Sequence, residues 1–433
     1  VIDARAARSK GLVMSAPAKS LPIAKDEKPV TRFDWRKYGT LSFPIHKSHL
    51  STLVGEFACT EQFLYDRKRE VDPKAEERKT CSGKTAMGSA AHEAIARALR
   101  KEELRDRLLA GGHTMSVEGV TKVVLEEFAR ETEGLEVIWY GKAERESVLE
   151  SIVAMTQGLL NDIHKHVAAV ELVEAGFIAQ IGEYWTEGHV DLAYRPKANP
   201  EQLGLTDWKT GATKPHQIVL DHGWESGFYA NALQCGIFVR TDTVELWRKL
   251  VAHGESVPLE NFEQTALATA PNDREAMHIV LRSMARKRER GESLPEEVVQ
   301  PARFPDEIRL THLADYVPYQ KKGKKSVERP EEVEFWGLPE AGEVKYEAGQ
   351  QRGPAWYRVR RTADDLPRLE HLLRGVVGWV RFGRFVKSVS EKCTRCSYRA
   401  ECLTSGYEAR GEEAKQLAGM LKNVEFDGFA DND

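Results

Sequence analysis

Two short stretches decide the fold: Gly188-His189-Val190-Asp191-Leu192 and, after a polar turn, Leu205-Thr206-Asp207-Trp208-Lys209-Thr210-Gly211. Each reads as a strand, and residues two apart in a strand share a face. Asp207 and Lys209 therefore point the same way, and Asp191 can join them from the neighbouring strand. Two carboxylates on one sheet face suit Mg²⁺ or Mn²⁺, which prefer oxygen ligands. A cation there acidifies water and stabilises charge on a phosphate, while Lys209 can orient that water. Trp208 points to the opposite face, into a core.

Working outward, Val170–Ile181, Tyr184–Tyr194 and Leu203–Thr210 form a strand meander separated by Gly, Pro and Asn. Helical periodicity precedes it at Ser48–Lys68, Ala86–Arg107, 116–132 and 143–168, and follows it at Trp224–Arg240. That alternation predicts an α/β core. Residues 260–300 read as helical, Ile308–Val317 and Ala355–Arg361 as strands, and Asp364–Gly383 as a helix. On the second helix His92 shares a face with Gly88, Ile95 and Leu99, pointing to the core. Gly83-Lys84-Thr85 resembles the end of a P-loop, but Arg78 stands where a glycine is needed and no strand is expected before it.

Gly88-Ser-Ala-Ala-His92-Glu, Gly188-His-Val-Asp191-Leu and Thr206-Asp207-Trp-Lys209-Thr-Gly, in that order, resemble the nuclease module of RecB, in the PD-(D/E)xK superfamily. The resemblance covers roughly 45–405 and implies a restriction-endonuclease-like mixed sheet flanked by helices. It assigns metal binding to His92, Asp191 and Asp207, and assistance to the attacking water to Lys209. The family's following Q-x-x-x-Y helix fits imperfectly: Glu225 and Tyr229 keep the spacing but replace Gln, whereas Gln234 and Phe238 lose the Tyr. Tyr229 is the preferred catalytic candidate. Glu174 is either a further acidic member or a solvated strand residue.

Cys393-x-x-Cys396-x₅-Cys402 supplies three thiolates, an incomplete tetrahedral site that suits Zn²⁺ or an iron–sulfur cluster by spacing. Cys59, Cys81 and Cys235 are the candidates for a fourth ligand. The stretch Ser48-His-Leu-Ser-Thr-Leu through Cys59-Thr-Glu-Gln-Phe-Leu-Tyr is similar to the N-terminal cysteine segment of iron–sulfur nucleases, among them AddB nuclease domains and CRISPR-associated exonucleases. This implies a [4Fe–4S] cluster on Cys59, Cys393, Cys396 and Cys402, joining the N- and C-terminal segments. Closing a loop between positions 59 and 393 costs roughly 5 kcal/mol of chain entropy, so the cluster is expected to act as a staple.

The chain of 433 residues, with 63 Lys plus Arg against 67 Asp plus Glu, has no global positive field for nucleic acid. Local patches at Arg282–Arg290 and Lys321–Lys325 are the candidates for tracking a phosphate backbone. Six cysteines are too few for a disulfide scaffold. No membrane span or secretory signal is legible, so the expected compartment is the cytoplasm. Residues 1–35 read as a flexible arm, 245–350 as helical elaboration and 410–433 as an acidic tail. The expected function is a metal-dependent DNA exonuclease that prefers single strands, in recombination, repair, phage DNA processing or CRISPR adaptation. The alternative is a catalytically silent DNA-binding subunit of a helicase–nuclease or recombination complex. The resemblance implies DNA with single-stranded ends as substrate, a helicase, recombinase or CRISPR integrase as partner, and an oligomer as one option.

Overall fold

Strands β4 (Val167–Ile181) and β5 (Tyr184–Pro196) form a long antiparallel hairpin. Gly182 closes it at φ +59, a left-handed conformation that glycine adopts without strain. The computed structural model describes residues 44–54, 59, 62–63, 80–139, 142–211, 223–317, 355–361 and 365–381. On one side of the hairpin, β6 (Gly204–Lys209) pairs antiparallel with β5, β9 (Glu307–His312) parallel with β6, and β10 (Trp356–Val359) antiparallel with β9. On the other side β7 (Ile237–Arg240) pairs with β4, and β8 (Val298–Val299) with β7, both antiparallel. The short β1 (Ile45–His46) runs parallel to β5 at Thr186–Glu187. The result is the mixed, mostly antiparallel sheet expected of a restriction-endonuclease-like fold.

Helices cover the sheet because its strands are apolar on both faces. One cluster packs α2 (Gly83–Arg100), α4 (Val117–Glu131) and α5 (Lys142–Asp162) onto Val173, Leu192, Tyr194 and Trp208. The alanines of α2 let it approach closely: a Cβ at Gly88 would stand 3.0 Å from Thr210 Oγ1. A second cluster places α1 (Lys47–Val54), α6 (Trp224–Cys235) and α10 (Leu366–Arg381) over Ala175, Val190, Leu205 and Leu310. Phe177, Phe228 and Phe238 are fully buried there, each contributing about 2–3 kcal/mol of transfer free energy. A third gathers α7 (Thr241–Ala252), α8 (Asn261–Ala268) and α9 (Asp273–Glu289) about Trp185, Val239 and Trp247.

Several boundaries differ from the expectation. The helix expected over Ala86–Arg107 breaks at Lys101, whose extended ψ of 105 ends α2 before α3 (Glu102–Leu109) begins. The helix expected over Trp224–Arg240 stops at Cys235; the β-branched and aromatic run Ile237-Phe238-Val239 fits a buried strand beside β4. A short strand does precede Gly83: β2 (Thr80–Ser82), paired in parallel with β3 (Glu136–Ile138). The helix starts directly at Gly83, leaving no loop to cradle phosphate, and the Trp139 ring lies 2.5 Å from where a Gly83 Cβ would be. The interval 245–350 contains β9, a central strand, so it is not wholly peripheral. The expected arm at 1–35 and tail at 410–433 lie outside the described residues.

Candidate metal centre

The ladder puts three carboxylates across three neighbouring strands. Val173 faces Leu192 and Ala175 faces Val190, so Glu174 falls opposite Asp191. Leu192 pairs with Thr206, and extending that register by one brings Asp207 level with Asp191. The hairpin is irregular here. Val173 and Leu192 pack on the α2 side, whereas Ala175 and Val190 pack on the α6 side. A two-residue step in a regular strand keeps its face, so both strands change face at Glu174 and Asp191. Glu174 sits at φ 42, a strained conformation for a residue with a Cβ.

His92 reaches this point from α2. Its Nδ1 lies 3.3 Å from Glu174 Oε1 and 3.8 Å from Asp191 Oδ2, and its ring packs edge-on against Trp208. Ligand atoms of His92, Glu174 and Asp191 all fall within 4.8 Å of one another. The other anchor of Asp191 is the Trp208 backbone N–H, which donates to Oδ2 at 2.5 Å. Burial raises the Asp191 carboxyl to about 7, with Asp207 and Glu174 adding to it and His92 opposing. Burial works against a charged His92, but Asp191, Glu174 and Asp207 outweigh it and lift the imidazole to about 9. Carboxylates are gathered here in a largely buried setting, and the oxygen and nitrogen donors fit Mg²⁺ or Mn²⁺.

Beside the triplet, Lys209 Nζ bridges Asp207 Oδ2 at 2.8 Å and Glu225 Oε2 at 3.0 Å. Burial opposes the Lys209 charge, yet Asp207 and Glu225 push its proton affinity above the usual lysine range. Burial would raise Asp207, but Lys209 and then Lys47 hold it low. Tyr229 is buried next to these groups, and burial together with the surrounding carboxylates keeps its phenol neutral. Lys47 lies 4.9 Å above the Tyr229 ring centroid and 3.9 Å from Glu225 Oε1.

The sequence profile of the PD-(D/E)XK nuclease superfamily matches residues 51–403. The chain belongs to this superfamily. It is accordingly a metal-dependent nuclease, and its His92–Glu174–Asp191 triplet with the Asp207–Lys209 pair occupies the middle of the matched span. A search of curated proteins found no match to the chain.

Against the superfamily pattern, His92, Asp191, Asp207, Lys209 and Tyr229 all meet where the middle of the β4–β5 hairpin adjoins the C-terminal end of β6. Glu174, left open by the sequence, is closer to His92 than Asp191 is. Asp207 stands outside the mutual triplet, engaged by Lys209. The structure also separates the two readings of the helix after β6. Glu225 bonds Lys209, whereas Gln234 is exposed at the far end of α6 and Phe238 lies in the core of β7. Trp208 is 1 % exposed and packs as expected. Lys47 was missed, because nothing in a lone lysine ahead of a helix marks it.

The basic run on α9 is partly exposed and paired within the fold. Arg282 faces Glu187 at 3.7 Å and Arg286 pairs with Glu263 at 2.5 Å. Lys287 donates to Pro258 O, and Arg288 donates to Cys235 O while lying over Trp185. Arg290 pairs with Glu260 and Glu292. These cations tie α9 to α8 and β5. The Lys321–Lys325 cluster lies outside the described residues, as do Cys393, Cys396 and Cys402. Cys235 donates its thiol to Gln180 O and Asn231 O, and Cys81 is buried in the α2 core. Cys59 is half-buried and forms no disulfide among the described residues. No helix among the described residues is long and apolar enough to cross a membrane.

Proposed function

We propose that the chain is a DNA exonuclease of the RecB/AddB-like kind, preferring single strands or single-stranded ends. The observation that carries this reading is the line of Glu174, Asp191 and Asp207 across three strands, capped by His92 and flanked by a doubly bonded Lys209. His92, Glu174 and Asp191 would hold a Mg²⁺ or Mn²⁺, with Asp207 facing the same ion from the next strand. When bound, such an ion supplies positive charge at the scissile phosphate and makes the attacking water more acidic. Lys209, fixed as an ammonium by Asp207 and Glu225, directs an N–H at the attacking water or the non-bridging oxygens. Tyr229, a neutral phenol, supports the Glu225 side of the cleft. A P–O bond forms to water, which gives up a proton to solvent, the bond to the leaving sugar oxygen breaks, and that oxygen takes a proton from solvent.

The reading extends to a [4Fe–4S] staple on Cys59, Cys393, Cys396 and Cys402. It rests on the resemblance of the Cys59 segment; among the described residues Cys59 stands outside regular structure, whereas Cys81 is packed in the α2 core and Cys235 is hydrogen-bonded. Iron and sulfide analysis of protein purified without oxygen, with absorbance near ~400 nm, tests this; C59S is expected to lose both. The nuclease reading is tested on single-stranded and duplex DNA labelled separately at each end, with Mg²⁺ or Mn²⁺. Stepwise loss of one labelled end by the native chain and its absence in K209A are expected. DNA binding without cleavage under either metal would instead establish a silent DNA-binding subunit.

A further inference from the structure

The cleft holds two lysines, and they differ in one respect. Lys209 is hydrogen-bonded to both Asp207 and Glu225, so its donors are already directed. Lys47 makes no hydrogen bond among the described residues. Its ammonium stands 3.9 Å from Glu225 Oε1, beyond hydrogen-bond distance, and rests over the face of Tyr229. Its side chain is 23 % exposed. The position is fixed by the backbone. β1 pairs with β5 at Thr186–Glu187, and the Cβ of Lys47 lies 3.5 Å from where a Gly188 Cβ would be. Lys47 is thus anchored to the strand that carries Asp191, and its charge is felt at Asp207.

An ammonium with undirected donors beside the carboxylate cluster is placed to meet an anionic oxygen of a substrate drawn to that cluster. We infer that Lys47 contacts a backbone phosphate of the bound nucleic acid, using donors that the fold leaves uncommitted. The inference rests on the nuclease reading and adds a substrate contact to it. Its cost is small, because moving toward the phosphate breaks no hydrogen bond and loosens only a weak ion pair. The competing role is that of a counter-ion for Asp207 and Glu225, which would leave the substrate untouched.

The two roles differ in salt dependence. Each phosphate neutralised by a lysine adds roughly 0.7 to the log–log salt slope of single-strand binding. The experiment follows anisotropy of a labelled single-stranded oligodeoxynucleotide over a salt series, with Ca²⁺ in place of Mg²⁺. It uses the full chain, K47Q, K47M, K47R and K249Q, the last at an exposed residue of α7 remote from the cleft. Thermal melts confirm folding, and K47M keeps the aliphatic stem over Tyr229. The expected result is a slope lower by roughly 0.7 in K47Q and K47M, with K47R and K249Q matching the native chain. An unchanged slope in K47Q and K47M overturns the Lys47 contact. No binding by the native chain overturns the nuclease reading itself, and the contact with it.

Discussion

Asp162 and Asp191 are both shielded carboxylates, and the protein moves them in opposite directions. Asp162, at the end of α5, accepts from Tyr316 Oη at 2.9 Å and lies 3.2 Å from His166 Nε2 and 2.6 Å from Lys165 Nζ. Burial would raise it, but these three partners hold it far below the usual carboxylate range. Trp356 completes the network by donating to Tyr316 Oη and stacking on His166, which ties β10 to α5. Asp191 has a single histidine and one backbone N–H against two neighbouring carboxylates, and it rises to about 7. One aspartate is satisfied from within the fold. The other sits among two further carboxylates, with His92 as its only side-chain counter-charge in contact among the described residues. The contrast is between an acid with three side-chain partners and one with a single such partner.

Substitutions sharpen this contrast. The largest effect is expected from D191N. It keeps an acceptor for the Trp208 N–H but removes a metal-binding charge, and cleavage should fall by on the order of 10³-fold or more. In EDTA its stability should not fall. Because the folded state raises the Asp191 pKa, metal-free folding loses stability as pH climbs from about 4 to about 7. The amide removes that penalty, so at pH 8 the Tm of D191N should equal or exceed that of the native chain.

D162N should do the reverse. Losing the charge that holds Lys165, His166 and Tyr316 should cost about 2–3 kcal/mol at pH 7, with cleavage per folded molecule unchanged. The depressed pKa means this contribution is present above the unfolded value and lost as pH falls. Denaturant melts of D162N and the native chain should therefore begin to converge below about pH 4 and meet only as pH falls through the depressed folded-state pKa. R286M probes α9: Glu263, only 3 % exposed, would keep Ser283 but lose its ion pair. A stability loss of about 2 kcal/mol with unchanged oligonucleotide affinity is expected; weakened binding instead would restore α9 as a phosphate track. The smallest effect should come from E225Q. It restores the family's amide and keeps one acceptor for Lys209, and single-turnover cleavage should stay within about threefold, a loss of under 1 kcal/mol.

Much of this site was legible in the sequence because it depends on strand alternation. Asp207 and Lys209 share a face by a two-residue step, and Trp208 must take the other. His92 was legible through helical spacing, since its neighbours Gly88 and Ile95 mark the buried side of α2. Glu174 was not, because its direction is set by a change of face in both strands at once, and no local residue preference encodes φ 42 at a glutamate. The break at Gly236 escaped notice because the short, mostly apolar stretch Ala232 to Phe238 does not separate the helical from the strand period. The α9 arginines looked like a nucleic-acid surface in one dimension. Their partners Glu187, Glu260 and Glu263 lie in other elements, and only the packed fold brings them together.

The most direct test of the central claim is Mn²⁺ binding by the native chain and D191N, followed calorimetrically beside end-labelled DNA cleavage on the same preparations. The account predicts Mn²⁺ binding and cleavage in the native chain, with both lost together in D191N while its Tm in EDTA is maintained. Native-like Mn²⁺ affinity and cleavage in a folded D191N would contradict it.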